Sequence, residues 1–418
     1  MDTFDSSDHH STPRRPSWPG QGPVDLLRAS PRLAWLMGVL TVNAVSLGAR
    51  EITRLGYATD TLDREFGVGV VAVIWAACLA VSSVVAGRRM DARDPRPFLV
   101  GPIVLAGALC AANAWILNRG PMPLGWLIAS TTIEAITFGV ATPALLKVQA
   151  ATVQPGARGE AETVNILRSG VGAALGTVVA GVIGDDVTTL ALSGATSVAV
   201  GAATAVITAP VSIAARPGIR RGLRDLVPAV RTRTALRRTV SVDLVLAVVL
   251  PTQFLALVIV DLDAPEVATV AFTASLLGVL LGRLVLTVAG LHGSPTRRMR
   301  AGYLGYAALC AVTTPALIGG WILERFVLLA VVVFVGSALI SFVQSLPIAL
   351  LQQQVPEEFR GSLSGAMTAA RSLLAGAAAV ACTVLTYIHN AAVLAAAVTA
   401  TLVAGYLVAG RFQGLTTD

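Results

Sequence analysis

Apolar residues in this chain gather into runs of about 20, the length that carries a helix across a roughly 30 Å hydrocarbon core. Twelve such runs can be marked, at about 33–55, 66–87, 98–117, 122–146, 163–184, 187–213, 241–260, 266–290, 300–322, 326–350, 362–386 and 390–411. The pattern predicts an all-α integral membrane protein of twelve transmembrane helices. Ahead of the first run, residues 1–32 hold Pro13, Pro16, Pro19, Pro23 and Pro31 among scattered charges, a composition that buries too little apolar surface to fold. That stretch reads as a disordered tail. It lacks the apolar core and cleavage site of a secretory signal. Residues 412–418 make a second, short tail.

The polar breaks between runs alternate in chemistry. The first tail carries Arg14, Arg15, Arg28 and Arg32; the second break has Arg88, Arg89, Arg93 and Arg96, and the fourth has Lys147, Arg158 and Arg168. The sixth holds eight arginines between Arg216 and Arg238, the eighth has Arg297, Arg298 and Arg300, Arg360 and Arg371 flank the tenth, and Arg411 closes the last run. Odd-numbered breaks instead hold Asp185 and Asp186, then Asp261, Asp263 and Glu266, then His389-Asn390, with only Arg64, Arg119 and Arg325 among them. Retention of positive charge on the inner side then places the basic breaks and both termini in the cytoplasm. Trp115, Trp126, Trp321 and Tyr387 cluster at the outer ends, as amphipathic rings do at headgroup level.

The two halves also resemble each other. VQPGARGEAETVNILRSGVGAALG pairs with QVPEEFRGSLSGAMTAARSLLAG, aligning Pro155 with Pro356, Arg158-Gly159 with Arg360-Gly361, and Arg168-Ser169 with Arg371-Ser372 to within one residue. LAGALC, ending at Cys110, and GYAALC, ending at Cys310, repeat at nearly the same offset. Internal repeats of this kind build transporters. The chain thus divides into a tail (1–32), a six-helix bundle (33–213), a basic cytoplasmic linker (214–240), a pseudo-symmetric second bundle (241–411) and the short tail.

Composition supports this reading: 55% of residues are hydrophobic and 13% charged, with a mean hydropathy of +0.73. Lys147 is the only lysine, and the arginine bias points to a GC-rich, bacterial genome and hence to a bacterial cytoplasmic membrane. The linker arginines suggest phosphate, but membrane spans bracket them, so anionic lipid is the expected partner and not nucleic acid. Cys78, Cys110, Cys310 and Cys382 lie in apolar runs without metal-ligand spacing, and His9-His10 has no further ligands, so neither a disulfide nor a metal is assigned. No cofactor motif is found either.

Twelve spans, a central cytoplasmic linker and inner termini resemble the major facilitator superfamily, over roughly residues 33–411. Gly87-Arg88-Arg89-Met90-Asp91 fits the G-x-x-x-D start of that superfamily's cytoplasmic loop, with Arg93 and Arg96 as its basic members. The resemblance implies that Asp91 meets the start of the eleventh helix and acts as a conformational latch. LLQQQVPEEFRGSLSG looks like the tenth-to-eleventh junction of the branch containing the enterobactin exporter and macrolide-efflux-like proteins, which implies export. At this junction and its repeat mate, Arg360 and Arg158 are expected as anchors at phosphate level. Two features depart from the drug-antiporter pattern: Gly172 and Gly176 precede Thr177 where a proline is usual, and Glu134 stands in the fourth helix, which usually carries an arginine. The glycines read as sites of close helix packing.

Substrates of such transporters bind near the midplane. At 1.5 Å per residue, Asn43 lies roughly 15 Å deep and Glu134 roughly 18 Å, with Thr252, Gln253 and Ser337 at similar depth. These residues sit on helices 1, 4, 7 and 10, which line the cavity in the superfamily. A charged carboxylate at the depth of Glu134 costs about 3 kcal/mol unless protonated, paired or hydrated. Glu134 is therefore expected to couple protons or bind a cationic substrate, against the alternative of a hydrogen bond to a neighbouring helix. For Asn43, Gln253 and Ser337, interhelical hydrogen bonding is an equal alternative. Arg50, Glu51 and Arg54 look like an outer gate. By the same count, however, Arg50 lies a few Å from the boundary, which makes a solvated cluster the expectation, too far out to pair with Glu134.

The expected protein is a monomeric secondary transporter, not an enzyme, exporting a moderately polar or cationic small molecule with protons. The alternatives are an uptake permease, a receptor that no longer transports, or a prenyltransferase-type enzyme using Asp60-x-x-Asp63 and Asp261-x-Asp263. The last conflicts with the charge pattern, which puts both pairs outside.

Overall fold

The computed structural model describes residues 23–61, 64–154, 157–210 and 360–388, with isolated positions elsewhere. Most of the linker, Thr252, Gln253, Asp261 and Asp263 lie outside the described residues. The helices are α1 (Pro23–Ala29), α2 (Pro31–Thr61), α3 (Arg64–Ala92), α4 (Arg96–Leu117), α5 (Leu124–Thr152), α6 (Arg158–Ile183), α7 (Asp186–Thr208) and α8 (Arg360–Ile388). Among the described residues, six helices, α2 to α7, are long and apolar enough to cross a membrane.

Residues 23–32 correct the expectation of a disordered tail running to 32. Pro23 opens α1, where a missing N–H costs nothing, and Leu26 is fully buried in the apolar cluster of Leu33, Leu36, Leu40 and Met90. The chain turns between helices where local chemistry allows. Gly120 (φ 151°) and Pro123 separate α4 from α5. Gly184 ends α6 in the left-handed conformation (φ 64°), and Asp185 then caps α7 by accepting from the Thr188 N–H at 2.8 Å. Those hydrogen bonds hold the exposed Asp185 carboxyl below the usual carboxylate range.

Burial is inverted relative to a soluble protein. Trp35, Val182 and Val206 are more than 70% exposed, whereas Ser83, Thr131, Ser197 and Thr204 are fully buried. Lipid tails are as apolar as leucine, so helices associate through small residues and interhelical hydrogen bonds. A Cβ on Gly176 would sit 2.1 Å from the Val45 carbonyl oxygen, and one on Gly172 2.3 Å from the Ala44 Cβ, so α2 and α6 cross where the sequence places glycine. Gly107 and Gly194 do the same for α4 and α7, where Ser46 of α2 also donates to the Ser193 carbonyl at 2.9 Å. Gly87, Gly361 and Gly365 bring α3 against α8.

Candidate functional site

Glu134 lies about 15 Å from the start of α5, and its carboxylate is buried. Nε of Arg50 approaches Oε1 to 2.8 Å, and the guanidinium of Arg54 donates to Oε2 at 3.0 Å. Arg54 also pairs with Glu51 and lies over the Trp75 ring, 4.4 Å from its centroid. Trp75 in turn packs on Phe138 with ring centroids 6.0 Å apart. Two acids and two guanidiniums thus form a largely buried network joining α2, α3 and α5, with the Cys110 sulfur of α4 3.8 Å from Arg50.

This overturns the expectation that Arg50 and Arg54 are solvated and too far out to reach Glu134. Both are 7% exposed. The charges end the apolar run near residue 55, but α2 continues to Thr61, which sets Arg50 about 16 Å from its end, the depth of Glu134. Glu134 is accordingly paired, the alternative weighed against its functional reading.

Beside this network is a cavity of about 290 Å³ lined by α2, α4, α5, α6 and α8. Asn43 and Arg50 line it from α2, Arg168 from α6, and Arg360 and Arg371 from α8. Ser337 is half-buried and helical but is not among the residues lining this cavity. The sequence places Arg168 among the charges of the fourth break. It stands instead ten residues into α6, where its guanidinium donates to the Asn165 side-chain oxygen at 2.7 and 3.0 Å and to the Leu40 carbonyl at 2.8 Å. The pairing of Arg168 with Arg371 in the internal repeat was the one signal that could have singled it out.

At the end of the bundle opposite Thr61, Asp91 meets the first turn of α8. The Gly361 N–H donates to Oδ1 at 2.9 Å, the Ser362 N–H to Oδ2 at 2.9 Å, and the Ser362 hydroxyl also to Oδ2. A carboxylate there satisfies two N–H groups that a helix start leaves unpaired and meets the positive end of its dipole. Contact requires bare backbone: a Cβ on Gly87 would fall 2.4 Å from the Gly361 carbonyl oxygen. Ser83 adds a hydrogen bond to the Gly365 carbonyl at 3.2 Å, and Lys147, which donates to the Met90 carbonyl, keeps its ammonium 4.0 Å from Asp91. Arg93 is exposed, and Arg96 turns away from α8 to pair with Asp94 and to donate to the Ala209 carbonyl at 2.7 Å. Arg96 therefore secures the end of α7. Its side chain holds the Asp94 carboxyl below the usual range. Arg360 is buried at the start of α8, and Arg158 is half-buried at the start of α6.

The sequence profile of the Major Facilitator Superfamily matches residues 39–380. No curated protein sequence matches the chain. Solved transporter structures share its fold, among them the following three. A bacterial homologue of the iron transporter ferroportin, in an outward-facing state, aligns over 91% of this chain and 99% of its own at 10% identity, with a TM-score of 0.70. The human organic anion transporter MFSD10 (TETRAN) covers 91% and 99% at 13% identity, with a TM-score of 0.66. FucP in its outward conformation, the Escherichia coli fucose:proton symporter, covers 91% and 98% at 14% identity, with a TM-score of 0.65.

Proposed function

The chain belongs to the major facilitator superfamily, and from that premise we propose that it exports a small drug-like metabolite or siderophore across a bacterial cytoplasmic membrane, driven by the proton gradient. Membership makes it a multi-pass membrane transporter and not an enzyme. The reading takes the twelve apolar runs as two six-helix bundles that rock about the cavity, as a lipid-embedded monomer with both termini cytoplasmic. Export is supported by the resemblance of LLQQQVPEEFRGSLSG to the enterobactin-exporter and macrolide-efflux branch.

Proton coupling is supported by one observation: the buried carboxylate of Glu134, at mid-span beside the cavity, is held by two guanidiniums, one of which, Arg50, lines that cavity. Protonating Glu134 removes the counter-charge of Arg50 and leaves Arg54 with Glu51 alone. Proton occupancy and the electrostatics of the cavity are thereby linked. Asp91 supplies the second moving part, because its contact with α8 must part before the cavity can open at that end.

The test is efflux from proteoliposomes under an imposed pH gradient, with a catecholate siderophore and a macrolide as first probes. Gradient-dependent efflux that Glu134→Gln abolishes supports the reading. Binding without flux would favour a receptor, and gradient-driven flux undiminished in Glu134→Gln would remove the coupling role.

A further inference from the structure

We propose that the cavity takes a small organic anion, its carboxylate or phosphate held between Arg168 of α6 and Arg371 of α8. The inference rests on the transporter reading and names its substrate class. Among the described residues, four arginines line the cavity against one carboxylate, Glu162. They are not equivalent. Arg50 already has a counter-ion in Glu134, and for the same reason Glu134 is not available to a cationic substrate.

Arg168 differs in kind, because its three hydrogen bonds all go to neutral oxygens, two to Asn165 and one to the Leu40 carbonyl. The Glu162 carboxylate lies on the far side of Asn165, whose amide nitrogen donates to it at 3.4 Å. The amide and the carbonyl fix the guanidinium in place and leave one N–H uncommitted on each terminal nitrogen, the fork that suits a carboxylate or phosphate.

The internal repeat supplies the second, independent observation. Arg168-Ser169 and Arg371-Ser372 are repeat mates, and both arginines line this one cavity. Arg168 lies about 15 Å along its helix from Arg158, and Arg371 about 16 Å from Arg360, so both stand near the middle of a roughly 30 Å hydrocarbon core. An anion between them is gripped by one helix from each half, which makes its binding sensitive to the rocking of the halves. A cavity of about 290 Å³ sets the size at a small molecule. Export also fits the charge, since an inside-negative potential favours the exit of an anion.

Three probes of one shape test this: 2-naphthoate, 2-naphthamide and 2-naphthylmethylammonium, titrated calorimetrically into the purified full-length protein. The carboxylate is expected to bind at least about tenfold more tightly than the other two, and Arg168→Gln and Arg371→Gln each to weaken it about tenfold, the loss of one charge-assisted contact. Arg168→Lys should retain part of the affinity, which guards against a variant that merely misfolds. Equal affinities, a preference for the ammonium, no binding at millimolar concentration, or an unchanged affinity in Arg168→Gln would overturn the proposal. A carboxylate preference without gradient-driven flux would leave the anion site standing while the transport reading fell. Flux without charge preference would do the reverse.

Discussion

Glu134 and Asp91 are equally buried, their side chains 8% and 9% exposed, yet their charges are met in different ways. Glu134 is held by two guanidiniums on α2, a helix of its own half. Asp91 is held chiefly by backbone N–H groups at the start of α8, across 270 residues of chain. The first arrangement is expensive to break, because either partner left alone is an uncompensated charge in a dry site. The second is a helix cap that water can replace, worth about 1 kcal/mol. On the proposed mechanism, the locked charge is the part that changes by protonation, and the weak cap between distant segments is the contact that opens in each cycle.

The contrast breaks most visibly at Glu134. Glu134→Ala strands Arg50 and leaves Arg54 with Glu51 alone, and should cost about 3–5 kcal/mol, read as a large fall in Tm. Replacing Glu134, Arg50 and Arg54 together by Leu, Met and Leu should recover much of that stability and none of the transport. Next in size, Gly361→Ala sets a methyl group 2.5 Å from the Asp91 carboxylate and 2.7 Å from the Gly87 carbonyl oxygen. It should force α3 from α8 at a cost of about 1–3 kcal/mol, again read by Tm. Asp91→Asn keeps the size and loses the charge. It should change stability by no more than about 1 kcal/mol, a small shift in Tm, yet speed thiol labelling of a Ser83→Cys reporter, now fully buried under α8, about fivefold.

The smallest effect is expected at Asp185, remote from both carboxylates. Its folded-state pKa is depressed, so its contribution is complete above the unfolded carboxylate pKa and disappears as pH falls through the lower folded value. Asp185→Ala should lower Tm slightly at neutral pH, with the two proteins converging in strong acid. Transport should not change.

Much of this molecule was legible in its sequence. Runs of about 20 apolar residues located the six spans of the described residues, α2 to α7, because membrane thickness sets their length. Gly172 and Gly176 announced the close crossing of α2 and α6. Glu134 stood out because an acid at mid-span is costly. Its partners did not, since hydropathy treats Arg50, Glu51 and Arg54 as the end of a span, whereas in the fold opposite charges cancel and α2 runs on to Thr61. Arg168 was lost for a related reason: an arginine near the start of a span looks like an interface residue until its acceptors, Asn165 and the Leu40 carbonyl, are seen. Pro23 and Pro31 read as disorder because proline composition does not tell a loop from a helix start.

Proton coupling at Glu134 requires its carboxylate to gain and lose a proton while Arg50 and Arg54 stand beside it. Infrared difference spectra of the full-length protein in lipid, taken across a pH jump, read that event as the carbonyl band of a protonated carboxylic acid. The account predicts a band that appears in wild type on acidification and is missing from Glu134→Gln, with its midpoint following the pH dependence of transport. Identical spectra from the two proteins, over a pH range in which transport changes, would contradict it.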